Sequence, residues 1–74
     1  MITAKQIRMA KAALGLSNKD ISALTGLHFI TINRAENSLG KAGNLLLIKT
    51  TLEAQGVEFI GTDTVRLINL ESDK

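Results

Sequence analysis

Between Thr3 and Leu14 apolar residues recur at Ile7, Ala10 and Leu14, with Met9 and Ala13 beside them, while Lys5, Arg8 and Lys11 take the polar side. That spacing predicts an amphipathic first helix. Thr3 and Gln6 stand at capping-box spacing before it, and Gly15 is placed to end it. A shorter pattern follows. Ser17 is a good N-cap because its hydroxyl can accept an orphan N–H of the first turn, and Asp20 brings negative charge to the positive end of that helix. Ile21 and Leu24 are its inward i, i+3 pair, and Ala23 is small enough for a close helix crossing. Thr25-Gly26 breaks the pattern, and Gly26 can take the positive φ that a tight helix-to-helix turn requires. Leu27 is the expected buried link, His28 the cap of a third helix, and Ile32 and Ala35 its inward positions.

Residues 37–43, Asn-Ser-Leu-Gly-Lys-Ala-Gly, predict a loop. Asn44 is the expected cap of a fourth helix reaching Gln55, with Leu45, Ile48 and Leu52 inward and Leu46 and Leu47 as apolar extras. Gly56 is its expected left-handed terminator. The period then changes. Val57–Ile60 and Val65–Leu70 read as strands around a turn, Gly61-Thr62-Asp63-Thr64. The expectation is a mainly α chain: a four-helix unit over 1–56, a C-terminal β-hairpin over 57–70 and a polar tail over 71–74.

The hairpin has two apolar faces, Val57, Phe59, Val65 and Leu67 on one and Ile60, Ile68 and Leu70 on the other. A lone two-stranded hairpin is marginal in water, so one face should pack on the helices and the other needs cover. A homodimer is expected, its hairpins pairing edge to edge or packing across a two-fold axis through Phe59, Ile60, Val65, Leu67, Ile68 and Leu70. The competing arrangement is a flap folded over the fourth helix of the same chain.

Composition narrows the class. Seventy-four residues permit one domain, and 45% apolar residues with only 3% aromatic require an aliphatic core. The absence of cysteine excludes disulfides and thiolate metal sites and fits a reducing cytosol. The first residues lack the apolar run of a signal peptide, and no stretch approaches the roughly 20 apolar residues of a membrane span, so a cytoplasmic bacterial or phage protein without a membrane partner is expected. Charge is uneven: residues 1–55 hold seven Lys/Arg and three Asp/Glu, a net of +4, and residues 56–74 hold two and four, a net of −2. The helical part is the basic part, as a phosphate-facing surface needs.

Catalysis has little to stand on. His28 is the single histidine, Asp20 and Asp63 are accounted for by a cap and a turn, and Gly40 to Gly43 with Lys41 lacks phosphate-loop spacing. No cofactor, no metal and no enzymatic activity are expected. The outward face of the third helix carries more. Arg34 can pair bidentately with guanine, Asn33 with adenine or a phosphate, and Thr31, Phe29 and Ile30 can touch thymine methyls. The same apolar pair could instead centre a protein-binding patch.

Gln6-Ile7-Arg8, Ala12, Leu14-Gly15-Leu16-Ser17, Ile21, Leu24, Gly26-Leu27, Thr31-Ile32, Arg34 and Glu36-Asn37 together resemble the Cro-repressor (XRE) type of helix-turn-helix over residues 3–55. The tail, Leu52 to Ile60 followed by Val65-Arg66-Leu67, resembles short bacterial regulators of that type with a C-terminal hairpin. The resemblance implies a lambda-repressor-like domain that binds a pseudo-palindromic operator as a homodimer and regulates transcription, most commonly as a repressor. Asn18 matches the usual Gln that opens the second helix and touches phosphate or braces the reading helix, which spans about 28–37. Phe29, Ile30 and Arg34 match the main base-reading positions, and Asn37, Ser38 and Lys41 the loop that meets the backbone. The expected DNA-binding set is therefore Ser17, Asn18, Lys19, His28, Phe29, Ile30, Thr31, Asn33, Arg34, Asn37, Ser38 and Lys41. The chain departs from the pattern at Asn18, one methylene shorter than Gln, at Phe29 and Ile30, where polar residues are usual, and at Ala35, where Leu is common. The alternative is a protein-interaction module or antitoxin-like protein that uses the same face and the hairpin on a protein partner.

Overall fold

Two capping boxes set the first two helices, as the spacing predicts. In the computed structural model, which describes residues 1–68, the Gln6 N–H donates to Thr3 Oγ1 (3.2 Å) and the Thr3 N–H to Gln6 Oε1 (3.0 Å), opening α1, Ala4–Leu14. The Asp20 N–H donates to Ser17 Oγ (3.1 Å) and the Ser17 N–H to Asp20 Oδ2 (2.9 Å), opening α2, Asn18–Thr25. The helix α3, Phe29–Glu36, starts at His28, whose Nδ1 accepts from the Ile30 N–H at 3.1 Å. The chain is completed by α4, Ala42–Ala54, and by the strands β1, Val57–Ile60, and β2, Thr64–Leu67. No helix among the described residues is long and apolar enough to cross a membrane.

The core is aliphatic. Ile7, Ile21, Ile32, Ile48, Leu52 and Val57 are fully buried, with Ile2, Ala10 and Ala35 between them. Each large side chain so buried contributes roughly 1.5–3 kcal/mol. Leu14, Leu16, Leu27, Leu45, Phe59 and Val65 close the core as a half-buried rim. Each helix thus spends one stripe on a shared centre, with α3 packed on α1 and α2.

The strands pair antiparallel in the register Val57↔Leu67, Phe59↔Val65 and Ile60↔Thr64. Val57, Phe59, Val65 and Leu67 therefore share a face, as alternation predicts. The hairpin lies against α1 and α4 of its own chain, and Phe59 and Val65 pack on that chain's core. Gln6, fully buried, is the clasp: its Nε2 faces the carbonyls of Ile60 (3.3 Å), Gly61 (3.1 Å) and Thr64 (3.0 Å). On the outer face Arg66 pairs with Glu58, and Ile60 and Ile68 are exposed. Leu70 and the tail at 71–74 lie outside the described residues.

Three expectations need correction. The fourth helix does not start at Asn44: Lys41 is its N-cap, without a side-chain cap, and the Leu45 N–H already donates to Lys41 O at 2.9 Å. Just before it, a Cβ at Gly40 would stand 2.9 Å from Leu45 Cδ2 and 3.0 Å from Ala35 Cα, so glycine is what lets the loop pass this close to α3 and α4. Leu24 is not inward but 46% exposed. The inward line of α2 runs through Ile21 and Thr25, whose hydroxyl turns back to Ile21 O at 2.7 Å, and Leu27 fills the space beyond. The hairpin loop is three residues, because Thr64 pairs with Ile60 and belongs to β2; Asn69 and Leu70 of the expected strand lie outside the described residues.

Candidate nucleic-acid interface

The segment from α2 through Gly26-Leu27-His28 to α3 is a helix–turn–helix, and its turn is fastened by hydroxyls. Ser22 Oγ donates to Leu27 O (2.5 Å), the Leu27 N–H donates to Thr25 Oγ1 (3.1 Å) and the Gly26 N–H to Ser22 O (2.9 Å). Gly26 takes φ 78°, the left-handed conformation that a β-carbon disfavours. These bonds satisfy the groups that a tight turn would otherwise leave unpaired.

Ile32, Ala35 and Glu36 of α3 are buried, so its other side faces solvent. That side carries Phe29 (55% exposed), Ile30 (48% exposed), Asn33 and Arg34, with Thr31 half-buried at the edge. The His28 ring stacks on Phe29, with centroids 4.6 Å apart at 27°, which holds the phenyl ring over the helix start. Because His28 Nδ1 accepts from Ile30, the neutral ring carries its proton on Nε2 and presents a donor outward. Arg34 makes no ion pair among the described residues.

The end of α3 is held from below. Glu36 Oε1 accepts from Asn18 Nδ2 at 2.8 Å, and Oε2 accepts from Lys11 Nζ at 2.5 Å. Lys11 Nζ also donates to Asn18 Oδ1 at 2.5 Å, which closes the triangle. Arg8 Nη1 donates to the backbone carbonyl of Glu36. Asn18, one of the expected DNA contacts, is thus occupied in bracing the end of α3. Lys11 is the bracing residue the sequence reading missed. Its position beside Ala10 and four residues after Ile7 places it at the edge of the buried stripe, which is the available signal.

The remaining expected contacts surround α3. Ser17 and Lys19 are exposed at the start of α2, with the Ser17 hydroxyl engaged in the cap. The carboxyl of Asp20 is held below its ordinary value, chiefly by the Ser17 N–H, then by the Ser17 hydroxyl, with a smaller contribution from the charge of Lys19. Beyond α3, Asn37 Nδ2 donates to Asn33 O at 2.7 Å. Ser38 takes φ 64°, with the Ser38 N–H donating to Ala35 O (3.3 Å) and the Leu39 N–H to Arg34 O (2.8 Å). This is a Schellman ending with serine in the place glycine usually holds. Lys41 is exposed, and Thr31, Arg34, Leu39, Gly40, Lys41 and Asn44 line a shallow cavity of about 130 Å³. Leu39, 69% exposed in that cavity's wall, was not anticipated.

Of the expected dimer residues, Phe59 and Val65 turn toward their own core, whereas Ile60, Leu67 and Ile68 are exposed. No group of three His, Cys, Asp or Glu that could hold a metal occurs among the described residues. No family model matches the chain, and no curated protein matches it.

Proposed function

We propose that the chain is a small sequence-specific DNA-binding regulator, a lambda-repressor-like domain that lays α3 in the major groove. The observation that carries this reading is the division of α3: Ile32, Ala35 and Glu36 are buried while Phe29, Ile30, Asn33 and Arg34 project into solvent from a helix fastened at both ends. A rigid, outward side of a short helix is what major-groove readout needs. Arg34 pairs with guanine, the His28 Nε2–H and Lys41 contact phosphate, and Lys19 adds positive potential at the start of α2.

The active species is a homodimer that covers Ile60, Leu67 and Ile68, which the hairpin otherwise leaves to water. Two reading helices about 34 Å apart would meet successive major grooves of a pseudo-palindrome. Occupancy of such an operator regulates transcription, most simply by excluding polymerase. Arg34→Ala tests the reading. It should weaken binding to the preferred duplex by roughly 1–3 kcal/mol and relax specificity at one base pair. Light scattering on a size-exclusion column tests the dimer, and a monomer at high micromolar concentration rejects it.

Phe29 and Ile30 favour a second reading, an interaction module whose apolar pair seats a protein partner. It predicts the reverse pattern, with Arg34→Ala silent on DNA and Phe29→Ala destroying a protein contact.

A further inference from the structure

We propose that the start of α3 reads thymine methyl groups, and that the preferred half-site places a guanine, met by Arg34, beside those thymines. The inference rests on α3 being the recognition helix and adds what it recognises. Phe29 and Ile30 offer no donor and no acceptor, yet they stand 55% and 48% exposed in its first turn. The C5-methyl of thymine is the one apolar group on a major-groove base edge, so it is the feature such a pair can distinguish. The His28 ring stacked on Phe29 fixes the phenyl before binding, which lowers the ordering cost of the contact.

Charge selects a polyanion over an apolar protein groove as the occupant. Arg34 shares the exposed side of α3 with the pair, Lys41 lines one cavity with Arg34 and Thr31, and both cations are exposed, as is Lys19 at the start of α2. The carboxylates nearest in the chain are engaged elsewhere, Asp20 on the Ser17 cap and Glu36 on Lys11 and Asn18. Arg34 stands one helical turn beyond Ile30 on the same exposed side of α3, placed to meet a guanine beside those thymines.

The test uses the full chain and a duplex enriched by it from a random pool, with binding followed by fluorescence anisotropy. Each thymine is replaced singly by deoxyuridine, which removes the methyl and keeps the base pair. One or two positions per half-site should lose about fourfold in affinity, the equivalent of one buried methyl group. That loss should vanish in Phe29→Ala or Ile30→Ala, exposed changes whose folding circular dichroism checks. A duplex indifferent to every deoxyuridine while still requiring Arg34 overturns methyl reading and leaves the regulator intact. Failure to enrich any motif overturns both and assigns the face to a protein partner.

Discussion

Replacing Glu36 by glutamine keeps the shape of the side chain and breaks the logic of the contacts beneath α3. The carboxylate accepts at both oxygens, from Asn18 Nδ2 at 2.8 Å and from Lys11 Nζ at 2.5 Å. An amide accepts at one atom and donates at the other, so in either orientation one donor meets a donor. Turning Asn18 over to relieve this would sacrifice its own bond from Lys11 Nζ, 2.5 Å from Oδ1. One charge-assisted bond, about 1.5–3 kcal/mol, is therefore lost whichever way the triangle relaxes. Water recovers part of it, because the Lys11 side chain is 22% exposed while that of Glu36 is 9% exposed. The expected net loss is about 2 kcal/mol, or roughly 8–16 °C in Tm for a domain this small. Thermal and urea unfolding measure it. A double-mutant cycle with Lys11→Met isolates the pair and should give a coupling of about 1–2 kcal/mol. A Tm within about 2 °C of wild type would refute the reasoning, as would a stabilised variant, the outcome when desolvation outweighs attraction.

Other residues give independent checks. Gln6→Ala strips the buried clasp from three hairpin carbonyls and should cost about 2–3 kcal/mol, with amide exchange accelerated in β1 and β2 before the helices. Ser38→Gly relieves a left-handed backbone at φ 64° and should stabilise the chain by about 1 kcal/mol in urea titration; a destabilised variant would show that the serine is not strained. Asp20 has a depressed folded-state pKa, so its contribution is complete above the ordinary value of 3.8 and is lost as pH falls through the lower folded value. Asp20→Asn should accordingly lose less stability than wild type between neutral and acid pH in unfolding titrations, and parallel curves would contradict the assignment.

Most of the fold was legible because local chemistry and periodicity agreed. Thr3 with Gln6 and Ser17 with Asp20 each announce a helix start in a four-residue window, and both caps form. The inward residues of α3 and α4 followed from spacing alone, with Ile32, Ala35, Ile48 and Leu52 all buried. The failures turn on contacts that residue type and spacing do not announce. Asn44 has the residue type of a cap, but the loop closes against Ala35 and Leu45 at Gly40 and the helix is already under way at Ala42, with Lys41 as its N-cap. Leu24 satisfied the i, i+3 rule, yet the Thr25 hydroxyl and Leu27 took the inward position. Gln6 was recognised as a cap, and its grip on the hairpin, more than fifty residues away, had no local signature. The candidate interface divides in the same way. The exposure of Phe29, Ile30 and Arg34 followed from helix phase, whereas the assignment of Asn18 to bracing depended on Lys11 and Glu36 meeting in three dimensions.

The central claim is that α3 reads base sequence. Selection of duplexes from a random pool, followed by anisotropy of the best duplex and a scrambled one at 50 and 200 mM salt, tests it most directly. The account predicts an enriched two-fold motif with half-sites about one helical turn apart, bound far more tightly than the scrambled duplex and weakened about tenfold or more by the added salt. Equal affinity for both duplexes, or no binding at the lower salt, would contradict it.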